Sequence, residues 1–234
     1  MRTPGDRLHP VSKWPIFALA FVLALQLAVV PADSATTSDV CLDPGHGGTD
    51  PGAVREWVDP VSGIKTALLE KEMNLYIAQQ VAAKLTATGY TVKLTRTDNA
   101  TRLGNSERAQ ICNAVSAKVV LSIHLNASTN DQADYFQVFY GKKLKDESFA
   151  RTIEQHYAIS DPLDPSKSLT HASVTNFANG TLLKSKAPAA LSEGLFMSHR
   201  KEKELLASNY PASSRADSVA MELHRGLVAW LTSR

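Results

Sequence analysis

Beyond about residue 39, short apolar runs alternate with stretches of helical periodicity, which is the pattern of an α/β domain. Residues 40–42, 90–95 and 119–123 predict strands. Between the first two, Leu69, Met73, Ile77, Val81 and Leu85 recur at every fourth position and Gly89 follows, predicting an amphipathic helix with a C-terminal stop. A shorter helix over 106–115 precedes the third strand. Residues 135–140 read as an edge-type strand, 149–157 as a helix, and 160–168, with Pro162 and Pro165, as a loop. A final helix over 213–231 carries Val219, Leu223, Leu227 and Leu231 on one face. No repeat, low-complexity tract or linker marks a second domain, and about 200 residues suffice for one core.

The N-terminus departs from this pattern. Arg2, Arg7 and Lys13 precede an apolar run over 16–30 broken only by Gln26, and small residues follow. This is the layout of a secretory signal, with cleavage expected near Ala32 or Ser34. The run is shorter than the roughly 20 residues of a membrane span, and the alternative is an uncleaved anchor. Residues 1–34 are therefore assigned to the leader and 35–234 to the exported domain, in the periplasm or outside the cell. A membrane enters only if the leader is retained.

Composition supports a globular reading, with 44% hydrophobic and 21% charged residues. The net charge of +2 resides in the leader, where three basic residues stand against Asp6. The balanced remainder gives no electrostatic case for nucleic acid. Export permits a disulfide, but Cys41 and Cys112 both sit among apolar neighbours, and the expectation is two buried free thiols.

Chemistry is indicated by where ionisable residues fall against the strands. Functional groups in open α/β sheets gather beyond the carboxyl ends of strands. His46 lies in the glycine-rich loop after residues 40–42, His124 ends the run 119–123, and Glu193 ends 189–192. Glu70 opens the first long helix, one turn before Asn74. Two histidines and a carboxylate are a recurring ligand set for catalytic zinc, with a further carboxylate moving the proton. His46, Glu70 and His124 are the expected ligands and Glu193 the expected base. Gly45, Gly47 and Gly48 allow tight backbone geometry around His46.

At these residues the chain resembles the zinc-dependent N-acetylmuramoyl-L-alanine amidases of the type 3 family. The resemblance runs over about residues 39–231. It rests on Asp43-Pro44-Gly45-His46-Gly47-Gly48 with Asp50-Pro51-Gly52-Ala53, Glu70-Lys71-Glu72-Met73-Asn74-Leu75, Leu94-Thr95-Arg96, Ser122-Ile123-His124-Leu125-Asn126-Ala127, and Pro188 through Ser198. It implies a single domain with a mixed, mostly parallel, six-stranded twisted sheet flanked by helices, of phosphorylase/hydrolase-like type. It also implies Zn2+-dependent hydrolysis of the amide joining N-acetylmuramic acid to L-alanine in peptidoglycan.

Asn74, Arg108 and Asn126 match recurring positions near such a site and are expected to brace the ligands. Lys184 and His171 are weaker candidates for facing the glycan or peptide stem; His156, His224 and the run 200–204 read as exposed helical faces. Three departures bear on the pocket's shape: Leu195 where glycine is usual after the catalytic Glu, His199 where asparagine is usual, and a longer segment over 54–69. The short span from His124 to Glu193 leaves no room for a long blocking insertion, so an open metal site is expected. A monomer is expected, and a protein activator is allowed for.

Other hydrolase and nucleotide readings fit less well. Zinc carboxypeptidases carry Glu three residues after the first His, where this chain has Thr49. Neither Ser122 nor Ser192 lies in G-x-S-x-G, and the third glycine of G-x-G-x-x-G falls on Asp50. The rival from another class is a non-catalytic peptidoglycan-binding or regulatory protein that keeps the fold.

Overall fold

The computed structural model describes residues 37–142 and 144–233; the expected leader lies outside the described residues. In chain order the elements are β1 (Val40–Pro44), β2 (Val54–Val58), β3 (Lys65–Leu69), α1 (Glu70–Ala87), β4 (Val92–Leu94), α2 (Asn105–Ala114) and β5 (Val119–Asn126). There follow β6 (Gln137–Tyr140), α3 (Lys145–Gln155), β7 (Thr175–Asn176), α4 (Gly180–Lys184), β8 (Ala189–Phe196), α5 (Arg200–Ala207) and α6 (Ser214–Thr232). Among the described residues no helix is long and apolar enough to cross a membrane.

Six strands form one mixed sheet in the order β4-β1-β5-β8-β6-β7. β4, β1, β5 and β8 run parallel, β6 pairs antiparallel with β8, and β7 pairs parallel with β6. Parallel strands covered on both faces read as continuous apolar runs, which is why the first five residues of β5 are apolar or small and all buried. β6 is not at the edge as expected from the sequence: the two-residue β7 covers it, too short to leave a periodic signal. The longer segment over 54–69 is a separate antiparallel hairpin of β2 and β3.

The two faces of the sheet are covered unequally, and this positions the site. Met73, Ile77, Val81 and Leu85 of α1 are fully buried together with Phe149 and Ile153 of α3 and Val219, Leu223 and Leu227 of α6. These helices pack on the face that carries Val40, Leu42, Val119, Leu121 and Ile123. Side chains alternate across a strand, so Cys41 and Asp43, Val120, Ser122 and His124, and Ala189, Leu191 and Glu193 share the opposite face. There the short helices α2 and α4 cover only a smaller apolar cluster of Cys41, Cys112, Val120, Leu182, Ala189 and Leu191. The sheet above that cluster is left open.

The thiol expectation is corrected here. Cys41 on β1 and Cys112 on α2 are bonded as a disulfide, with Cα atoms 5.5 Å apart. Their apolar neighbours are real, but the same packing that buries both sulfurs brings the helix and strand within bridging distance. The bridge closes a span of 71 residues. Cys112→Ser with Cys41→Ser is therefore expected to cost about 4 kcal/mol of stability through loop-closure entropy, read from denaturant unfolding of the oxidised and double-mutant proteins.

A second correction concerns the charged run 200–204. Glu202 is fully buried and pairs through both carboxylate oxygens with Arg215 of α6. His224 is likewise not a free surface residue: both ring nitrogens are buried and without hydrogen-bond partners. His156 is exposed as expected.

Candidate metal centre

The loop after β1 turns back through three tight approaches. A Cβ at Gly45 would lie 2.1 Å from the His124 ring, and one at Gly52 would lie 2.6 Å from both Glu70 Oε2 and the His46 ring. Only glycine permits these contacts, and Gly52 also holds φ +67. Between them His46 adopts φ 60, a left-handed conformation that costs a non-glycine residue energy. The loop is kept in this shape by two buried arginines. Arg96 donates to the carbonyls of Pro44, Gly45 and Lys71, while Arg108 donates to those of Pro44 and His46.

The result is that His46, Glu70 and His124 meet, with one ligand atom from each lying within 4.8 Å of the others. Glu70 stands between the two rings: Oε2 is 3.1 Å from His46 Nε2 and Oε1 is 3.0 Å from His124 Nδ1. Asp50 Oδ2 lies 2.9 Å from His46 Nδ1, so a carboxylate orients that ring from behind and turns Nε2 toward the cluster. Mixed imidazole and carboxylate donors at this separation suit zinc.

Charge in the cluster favours a cation. Burial alone would lower both imidazoles, but Glu70 and Asp50 outweigh it at His46, which rises to about 9. His124 is also raised, burial again being overcome by Glu70 and by the nearby Glu193. Burial would raise Glu70, yet its bonds to His124 and His46 hold it well below the usual carboxylate range. A metal ion would take the place of these protons.

Glu193 stands apart from the ligand set. It is the parallel neighbour of His124 across β5 and β8, facing the same side of the sheet. Its Oε2 is buried and has no hydrogen-bond partner. Burial pushes its carboxyl up to about 7, against the opposing charges of His124 and His46 and with the support of Glu70. A carboxyl poised there can both accept and return a proton near neutral pH.

The expected positions at strand ends need adjustment. β5 continues to Asn126 and β8 to Phe196, so His124 and Glu193 lie within strands and project from one face. The site is a cleft of about 330 Å³ on that face, with Ser122, His124, Leu191 and Glu193 as its floor. Leu103, Asn105 and Arg108 form one wall, and Phe177, Asn179 and Thr181 another. No fourth carboxylate or imidazole joins the cluster among the described residues.

Of the expected bracing residues, Asn74 donates to Glu70 Oε1 at 3.1 Å, and Arg108 reaches the buried Asp43 at 2.7 Å. Asn126 is more remote, its Oδ1 accepting from Ala127 N–H at the end of β5. Lys184 bonds Ser106 and His171 bonds Glu154, and neither lines the cleft. Asp43, Arg96 and Asp50 were not assigned roles from the sequence. The spacing of Asp50 four residues after His46 was its only local signal; Asp43 accepts from Thr95, Arg108 and Ser122, all distant in sequence, and Arg96 donates to backbone carbonyls that leave no sequence trace.

An α/β sheet carrying three metal-type donors beside an unpaired buried carboxylate is the arrangement a metal-dependent hydrolase would use. Residues 40–225 match the N-acetylmuramoyl-L-alanine amidase family, and the chain belongs to it. Relatives include LytC of Bacillus subtilis strain 168, 30% identical over 82% of this chain and 35% of its own length. The germination-specific N-acetylmuramoyl-L-alanine amidase of the same organism is 29% identical over 95% of this chain and 96% of its own. The chain thus spans about a third of the first relative and nearly all of the second. Similar solved structures include the amidase of Clostridium difficile 630, with TM-score 0.68, 28% identity and coverage of 85% of this chain and 99% of that one. AmiC2 of Nostoc punctiforme gives TM-score 0.67 at 27% identity, covering 82% and 96%.

Proposed function

We propose that the chain is a zinc-dependent hydrolase of the amide between the lactyl group of N-acetylmuramic acid and L-alanine in peptidoglycan, acting outside the cytoplasm. The observation that carries this reading is the convergence of His46, Glu70 and His124 beside Glu193, whose carboxylate is buried, unpaired and outside the ligand set. Zinc held by the three ligands would lower the pKa of a water and polarise the scissile carbonyl. Glu193 takes the proton of the attacking water and returns it to the departing L-alanine amine. Asp50 and Asn74 fix the orientations of His46 and Glu70, and the Arg96 and Arg108 clasp keeps the His46 loop in its strained turn. Leader residues 1–34 would deliver residues 35–234 to the compartment that holds the wall.

The test is incubation of purified residues 35–234 with peptidoglycan, with and without a chelator, and mass analysis of the products. Release of intact stem peptides beginning at L-alanine, abolished by the chelator and restored by zinc, is expected. Zinc binding without any product would overturn the reading for the isolated chain, in favour of a regulatory protein or an enzyme that needs an activator.

A further inference from the structure

Glu193 has a neighbour on each side in the sheet. On one side is His124; on the other, directly opposed in the antiparallel pair of β8 and β6, is Gln137. Directly opposed residues point to the same face, so His124, Glu193 and Gln137 form a row on the open face, with Gln137 just beyond the residues that line the cleft. Gln137 is half-buried, and its carboxamide makes no hydrogen bond among the described residues. A side chain with two donors and an acceptor, beside the base and otherwise unused, is placed to read a polar group of the substrate.

The surroundings of Gln137 narrow the choice of group. Phe139, two residues on and on the same face, packs against Phe177 with ring centroids 5.3 Å apart. Phe177 is 46% exposed and lines the same cleft as Glu193. Among the described residues the only guanidinium or ammonium group lining that cleft is Arg108, already bonded to Asp43, Pro44 and His46. The exposed Arg102 lines an adjoining depression, which shares Asp50, Leu103 and Asn105 with the cleft, rather than the cleft itself. A carboxamide beside an aromatic pair, without a free guanidinium or ammonium group, suits a neutral amide carrying a methyl group rather than an acidic peptide.

We propose that Gln137, backed by Phe139 and Phe177, is the specificity-determining residue for the 2-acetamido group of the sugar. This inference rests on the amidase reading above. The acetamido group is attached to the ring carbon next to the one bearing the lactyl ether, close to the scissile amide. Gln137 is likewise about 5 Å from Glu193, one strand spacing away. The carboxamide bonds the acetamido amide, and the methyl meets the aromatic pair.

The experiment compares kcat/KM of the zinc-loaded protein on two muramoyl peptides that differ only in the N-acetyl group. The wild type is expected to prefer the acetylated substrate by about tenfold, the worth of one good hydrogen bond. Gln137→Ala is expected to remove the preference while leaving the rate on the deacetylated substrate and the zinc content unchanged. Gln137→Met, similar in length and uncharged, is expected to do the same by removing both the donors and the acceptor. An unaltered preference in both variants would overturn the assignment, as would equal loss on both substrates, which marks a structural role. A wild type that cuts both substrates equally overturns this inference alone, whereas a wild type that cuts neither overturns the amidase reading with it.

Discussion

Glu193→Gln is expected to lower turnover by about 10²–10⁴-fold while leaving one zinc bound per chain. The substitution keeps the shape of the side chain and removes only its capacity to take and return a proton. Zinc is expected to be retained because the three proposed ligand atoms come from His46, Glu70 and His124, not from Glu193. Folding is retained because the wild-type Glu193 Oε2 bonds nothing that the amide could lose. Relieving a buried carboxyl whose burial already pushes it up to about 7 leaves the fold no less stable. The check is a parallel measurement of kcat, zinc content by elemental analysis and unfolding midpoint. An unchanged rate removes Glu193 from the mechanism, and loss of zinc makes it a ligand.

What could be read from the sequence follows the range of the forces involved. Helix α1 was legible because Met73, Ile77, Val81 and Leu85 all face one side of the sheet, and a single packing direction leaves a four-residue period. Strand β5 was legible because burial on both faces leaves an uninterrupted apolar run. The four candidate residues His46, Glu70, His124 and Glu193, which the fold brings together, could be picked out as a set because each follows or opens a predicted element. The long-range pairings were not. Cys41 and Cys112 are 71 residues apart, and nothing near either one announces the other. Glu202 belongs to a charged run that suggests a solvated helix, and its buried partner Arg215 lies on a different helix. The open face of the sheet was also hidden, because it depends on α2 and α4 being short rather than on any pattern within β1, β5 or β8.

The same distinction sets the expected result for Arg108, which lines the cleft and could be taken for a substrate contact. The structure gives its guanidinium four protein acceptors: Asp43 Oδ1 at 2.7 Å and the carbonyls of Pro44, His46 and Leu103 at 2.8, 2.7 and 3.2 Å. Its side chain and that of Asp43 are 5% and 1% exposed. Arg108→Ala would strand the Asp43 carboxylate with only the hydroxyls of Thr95 and Ser122, and breaking a buried pair of this kind costs about 3–5 kcal/mol. For a domain of this size that corresponds to a fall in Tm of about 10 °C. Because the same guanidinium holds the His46 carbonyl, zinc affinity is expected to fall as well. Arg108→Lys should restore little, since one ammonium cannot span acceptors arranged around a planar fork. Calorimetry with a zinc titration separates the two roles: unchanged stability and zinc affinity with a raised KM would make Arg108 a substrate residue, whereas the geometry requires the stability loss to come first.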